Sequence, residues 1–214
     1  MKRLLLIFLS TGVLFSTLYA EGKKCKTKGP HIWGCVKEVK LSLNDEEFII
    51  KRSGATKITP LYESTNRGRV QPISLSEGIE TIGEIELIQY LKEAQNDDSI
   101  ILVDTRKPGW HARLTLPASI NMPYTDFDDL ENTESNLEDL DVSKNEDGTY
   151  NFSKAKTIIV FCNGYWCGQT PSMVLYSKYA LRKIGYPANK IKYYRGGMQA
   201  WTSLGLTVVG DEAK

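Results

Sequence analysis

Apolar positions along this chain change period several times, and each change marks an element. Val36, Val39, Leu41 and Leu43 partly alternate with polar residues, Asn44-Asp45 offers a turn, and Phe48-Ile49-Ile50 follows, which predicts a hairpin. Beyond it Ser53-Gly54, Pro60, Arg67-Gly68 and Pro72 punctuate a stretch with little periodicity, an extended or loop segment in which Arg67 and Arg69 read as solvated charges. From Ile79 the spacing turns helical through Ile82, Ile85, Leu87, Ile88 and Leu91, with Thr81 and Glu84 as a weak capping box. Ile100 to Val103 is a short apolar run ending at Asp104, the form of a buried strand in a parallel sheet. Ala118 to Met122 is a weaker strand, Asn132 to Leu140 a short helix, and Asp141 to Ser153 a polar surface excursion. Thr157 to Phe161 is β-branched and apolar, Cys162 to Thr170 is a loop, and Thr170 as N-cap with Pro171 opens a helix. Met173, Val174, Tyr176, Ala180, Leu181 and Ile184 supply its buried stripe, and Gly185 stops it. A strand at Ile191 to Tyr194 and a helix at Gly197 to Leu204 close the pattern.

Strands alternating with helices predict an α/β domain over residues 79–210, with a mostly parallel central sheet flanked by helices. Residues 21–78 form a small strand-rich and loop-rich region ahead of it. Residues 1–20 differ from both: Lys2 and Arg3 precede the apolar Leu4 to Leu9, a polar step at Ser10-Thr11, and a second apolar stretch ending before Ala20. This has the form of a secretory signal peptide cleaved after Ala20. Gly12, Ser16 and Thr17 weaken the competing reading as a membrane span, which needs about 20 apolar residues. The expected location is therefore periplasmic or secreted, with no stable membrane anchor after cleavage.

Composition narrows the classes. The 214 residues are 41% hydrophobic and 25% charged, enough for a globular core. Basic and acidic residues nearly cancel at 27 against 26, so no global field favours nucleic acid. The four cysteines fall into two local pairs. Cys25 and Cys35 flank a turn-forming stretch with Gly29-Pro30 and Gly34, and export favours a structural disulfide between them. Zinc is disfavoured because the spacings C-x9-C and C-x4-C lack short C-x2-C hooks, so no metal is expected.

Cys162 ends a predicted buried strand and precedes a loop and a helix start, where unpaired N–H groups and the helix dipole favour an anion. Free cysteine has a pKa of about 8.5, and such a position is expected to lower it and activate a nucleophile. The loop is Cys162-Asn163-Gly164-Tyr165-Trp166-Cys167-Gly168-Gln169-Thr170, whose glycines let its amides turn inward.

Leu102-Val103-Asp104-Thr105-Arg106, Leu116 to Pro123, and Val160-Phe161-Cys162 with its loop occur in an order that resembles the rhodanese-like, single-domain sulfurtransferases. Arg195-Gly196-Gly197-Met198-Gln199-Ala200-Trp201 resembles that family's closing Gly-Gly-x-x-x-Trp segment. The resemblance implies that Cys162 attacks a small sulfur-containing donor such as thiosulfate or a polysulfide, becomes a persulfide, and passes sulfur to a thiol, cyanide or a protein acceptor. It implies no cofactor, and support roles for Asp104 and Arg106. Three positions depart from the family pattern. Cys167 stands where an arginine or lysine is usual, Leu114-Thr115 replaces Gly-His, and Ala118-Ser119 replaces Gly-Ala. The lost cation predicts that polysulfide outperforms thiosulfate. Two other readings stay open: a thiol/disulfide redox protein or sensor using Cys162 and Cys167, and a non-catalytic binding module on the same fold.

Overall fold

In the computed structural model, residue 25 and residues 28–54, 57–64 and 67–213 are described, so the signal-peptide expectation lies outside the described residues. Strands β1 (Glu38–Leu43) and β2 (Glu46–Lys51) pair antiparallel as the expected hairpin. Asn44 and Asp45 at its tip take φ of 54° and 61°, the left-handed pair that a tight two-residue hairpin turn requires.

The chain then alternates. β3 (Glu80–Ile82), α1 (Glu84–Ala94), β4 (Ile100–Asp104), α2 (Pro108–Arg113) and β5 (Ile120–Asn121) lead to a short 3-10 turn and α3 (Leu130–Asp139). The polar excursion that follows carries a minimal hairpin, β6 (Ser143–Lys144) and β7 (Tyr150–Asn151). β8 (Thr157–Phe161), a helical turn α4 (Gln169–Pro171), β9 (Ile191–Tyr194) and α5 (Gly197–Ser203) complete the order. The central sheet has the order β3-β9-β8-β4-β5 and every neighbouring pair is parallel. The protein is therefore α/β, as the alternation predicts.

Alternation within β8 sorts the core. Ile159 and Phe161 join Leu102, Tyr194 and Trp201 on one face, while Ile158 and Val160 join Val103, Tyr193 and Met173 on the other. Both faces are covered, which is why β4 and β8 read as continuous apolar runs. Leu41, Ile50 and Tyr62 share the first of these clusters with Leu87 and Ile88 of α1. The N-terminal region thus packs directly on the sheet domain.

Four local expectations need correction. The N-terminal hydrogen bond of α1 runs between Gly83 N–H and Glu86 Oε2, 3.1 Å, because Thr81 is spent in β3. The weak strand at Ala118 to Met122 shrinks to two residues, and Ala118 takes φ 63°, a left-handed conformation more natural to glycine. The helix after the loop is capped at Gly168, and it does not run to Ile184. After one turn it widens into i+5 bonding, with Ser177 N–H to the Ser172 carbonyl at 2.8 Å, and stops at Tyr176. Tyr176 is consequently 66% exposed instead of buried. Thr170 is spent elsewhere, its hydroxyl 2.9 Å from that of Thr105.

Candidate active site

β4 and β8 are adjacent and end together, so Asp104 faces Phe161 in register and Cys162 begins the loop at the same rim. Thr105 ties the two strand ends, its N–H and hydroxyl both reaching the Phe161 carbonyl at 3.0 and 2.9 Å. From the other side Met198 N–H bonds the Cys162 carbonyl at 3.0 Å and Gln199 N–H bonds that of Asn163 at 2.9 Å. This close approach explains Gly197. Its φ is 54°, and a Cβ there would sit 2.2 Å from the Cys162 carbonyl oxygen.

Behind the loop lies a charged network with no solvent exposure. Arg106 pairs with Asp104 through Nη2 to Oδ2 at 2.6 Å and Nε to Oδ1 at 2.9 Å, and both side chains are fully buried. Burial alone would lower the guanidinium pKa, but the Asp104 hydrogen bonds and charge outweigh it and hold it above its ordinary value. The remaining valences are filled: Nη2 donates to the Leu114 carbonyl at 2.6 Å, and Thr115 donates to Asp104 Oδ2 at 2.8 Å. Arg106 Nη1 donates to Tyr62 Oη at 2.7 Å, and Tyr62 Oη donates to Asn163 Oδ1 at 3.0 Å. Burial pushes the Tyr62 phenol up to about 12, so it stays a donor at neutral pH. A saturated network of this kind fixes the Asn163 side chain, and with it the loop.

Cys162 and Cys167 are both free thiols, each 3% exposed. The Cys162 thiol reaches the Cys167 carbonyl at 3.4 Å. Burial, then the Cys167 thiol beside it, pushes Cys162 up; Thr170 partly opposes this through its hydroxyl and N–H. Cys167 is held down at about 7 by the Cys162 hydrogen bond and by the Gln169 and Asn163 amides, against burial. Its sulfur is also 3.9 Å from Asn163 Nδ2 and 3.6 Å from Gln169 Oε1. The expected ordering is therefore reversed: in the resting pair the anion is favoured on Cys167. The physical reason is that hydrogen bonds from Asn163 and Gln169 favour the charge on that sulfur, while burial and then the Cys167 thiol weigh against a charge on Cys162.

The loop's outer residues serve differently. Trp166 Nε1 donates to Gln199 Oε1 at 3.0 Å, and Tyr165 is 41% exposed. Arg67 stacks over the Trp166 ring at 5.7 Å and Arg195 over the Tyr165 ring at 5.0 Å, so Arg67 is not merely a solvated loop charge. Gln71 N–H caps the Tyr165 carbonyl at 2.7 Å, and Arg195 Nη2 holds the Gln71 carbonyl at 2.6 Å. Gly168 is exposed beside them.

Of the residues singled out from sequence, Cys162, Asn163, Cys167, Gln169, Asp104 and Arg106 meet in one place. Thr170 from the loop's end and Arg195 and Gln199 from the closing segment complete it, together with Tyr62 and Gln71, which were not expected there. Tyr193 is also close enough for both cysteine charges to act on its phenol, and its buried hydroxyl has no hydrogen-bond partner. Cys25 and Cys35 form the expected disulfide, with Cα atoms 5.4 Å apart. Among the described residues no group of three or more His, Cys, Asp or Glu side chains could hold a metal ion.

Residues 87–204 match the rhodanese-like domain family. No curated protein matches the chain. Among solved structures, a Bacillus halodurans protein aligns at 21% identity and TM-score 0.44, over 63% of this chain and 79% of its own. The rhodanese-like domain of an Anabaena protein aligns at 17% identity and TM-score 0.40, over 64% and 82%. A polysulfide-sulfur transferase from Wolinella succinogenes aligns at 16% identity and TM-score 0.41, over 64% and 82%.

Proposed function

The chain belongs to the rhodanese-like domain family, and from that premise we propose that it is an exported sulfurtransferase that carries sulfane sulfur as a persulfide on Cys162. The observation that carries this reading is the free thiol of Cys162 where β4 and β8 end together, with its loop pinned by Met198 N–H and by the Tyr62–Asn163 bond. Cys162, its proton lost to solvent, attacks the terminal sulfur of a polysulfide; the donor's S–S bond breaks, and the shortened polysulfide leaves with the electron pair. Thr170 N–H and the loop amides offer hydrogen bonds to the sulfur left behind. A thiol, cyanide or a protein thiolate then takes the outer sulfur and returns the Cys162 thiolate.

Asp104 and Arg106 are positioning residues in this scheme, acting through Tyr62 and Asn163 on the loop. Arg67 and Arg195, stacked on the loop aromatics, offer the only cations the described residues place over Trp166 and Tyr165, which suits an anionic donor. Polysulfide is the preferred donor over thiosulfate, because Cys167 supplies no positive charge in place of a loop arginine or lysine. Export rests on the basic and apolar N-terminus and on a disulfide of the kind that persists in oxidising compartments. The test is thiocyanate formation from polysulfide and cyanide: Cys162→Ser should fall to the background rate. Full transfer by that variant would eliminate the assignment.

A further inference from the structure

Cys167 is the one reactive group at the site that sulfur carriage does not require. A carrier needs a nucleophile, a cradle for the transferred atom and an acceptor from solution. This loop instead buries a second thiol five residues after the first, both 3% exposed, with the Cys162 thiol directed at the Cys167 carbonyl at 3.4 Å. The second sulfur is not idle packing. Asn163 Nδ2 approaches it at 3.9 Å, and it lies 3.6 Å from Gln169 Oε1. Asn163 is itself fixed by Tyr62 and, behind that, by Arg106 and Asp104. These five residues thus cooperate to keep Cys167 in the loop beside any persulfide formed on Cys162.

We propose that Cys167 resolves the Cys162 persulfide from within the loop, giving a Cys162–Cys167 disulfide and free hydrosulfide, so that the site reduces sulfane sulfur as well as carrying it. This inference rests on persulfide formation at Cys162. The step balances. The Cys167 sulfur attacks Cys162 Sγ, a new S–S bond forms between the two cysteines, and the bond to the outer sulfur breaks. The outer sulfur leaves with the electron pair and the Cys167 proton as HS⁻. Both cysteine sulfurs end oxidised in the disulfide, and the sulfane sulfur is reduced to sulfide. A dithiol reductant then restores both thiols by exchange through a mixed disulfide and is itself oxidised. The preference of the charge for Cys167 fits the role of attacking group. A substrate thiol that reaches the outer sulfur first takes it before resolution, so carriage and reduction compete at one persulfide.

The experiment uses the full chain, fully reduced and kept anaerobic so that oxygen forms no disulfide. Wild type, Cys167→Ala and Cys167→Ser are loaded briefly with polysulfide, desalted, and followed by intact mass, peptide mapping and trapping of released hydrosulfide, without any acceptor. Wild type should pass from a gain of about 32 Da, one sulfur, to a loss of about 2 Da, with the new bond mapped to Cys162 and Cys167 and hydrosulfide released in step. Both variants should retain the added sulfur and release none. Adding a dithiol should return wild type to its starting mass. A wild-type persulfide as long-lived as that of the variants would overturn resolution while leaving the carrier intact. No added sulfur on Cys162 in any of the three would overturn both, and the wild-type arm decides the matter alone if a variant fails to fold.

Discussion

The protein carries two cysteine pairs with opposite fates. Cys25 and Cys35, ten residues apart, are joined, while Cys162 and Cys167, five apart, stay free thiols, the first 3.4 Å from the carbonyl of the second. Spacing would permit a local bond in either case. The difference is in what surrounds the sulfur. The first pair closes a short segment whose Ile32 and Trp33 pack against the core. The second is buried at the rim of the parallel sheet, where Asn163, Gln169 and Thr170 bond the sulfurs and the Asp104–Arg106 pair fixes the loop from behind. One pair stabilises the fold, and the other is stabilised by it for chemistry.

The sharpest way to break this contrast is to remove what holds the second pair. Asp104→Ala leaves the Arg106 guanidinium buried without its counter-charge, and losing one partner of a buried pair costs about 3–5 kcal/mol. Urea denaturation should show a loss of that size; a loss below about 1 kcal/mol would mean that the network does not anchor the loop.

A smaller effect is expected from the first pair. Replacing Cys25 and Cys35 together with Ser should cost about 2–3 kcal/mol, the scale for a short closed loop, while sulfur transfer by the still-folded protein stays near wild type. A folded double variant without activity would bring this pair into the mechanism and dissolve the contrast.

The third expectation concerns protons. Cys167 is lowered to about 7, so thiolate accumulates as pH rises through that value, and alkylation of the reduced pair should rise with a midpoint near pH 7. In Cys167→Ala only Cys162 remains, and burial pushes it above the ordinary thiol value. The midpoint should then move upward, beyond the usual cysteine range of about 8.5. For stability the sign is the usual one for a depressed acid: the Cys167 contribution is full above its unfolded pKa and is lost as pH falls through about 7. The raised Cys162 works oppositely, losing stability as pH rises above its unfolded value.

Much of the frame was legible because its signals are local. The apolar runs at Ile100 to Val103 and Thr157 to Phe161 become β4 and β8, and Asn44-Asp45 turns the hairpin as its residue types require. The cysteine loop was legible for the same reason, as strand, glycines and thiols lie within a dozen residues. Tyr62 was not, because its bond to Asn163 spans 101 residues and its own surroundings have no period. The ionisation order was hidden too. It depends on which sulfur the hydrogen bonds from Asn163 and Gln169 favour. So was the break of α4 after one turn, despite an apolar stripe that suits a longer helix. Tyr176 followed that stripe in sequence and points to solvent in the fold.

The central claim is that Cys162 accepts the sulfur, and it is tested most directly by peptide mapping of Cys167→Ala protein after brief treatment with polysulfide. Removing Cys167 removes resolution, so the modification has nowhere else in the loop to go. A gain of about 32 Da is expected on the peptide that contains Cys162, reversed by cyanide with release of thiocyanate. An unmodified Cys162 in that folded protein would contradict it.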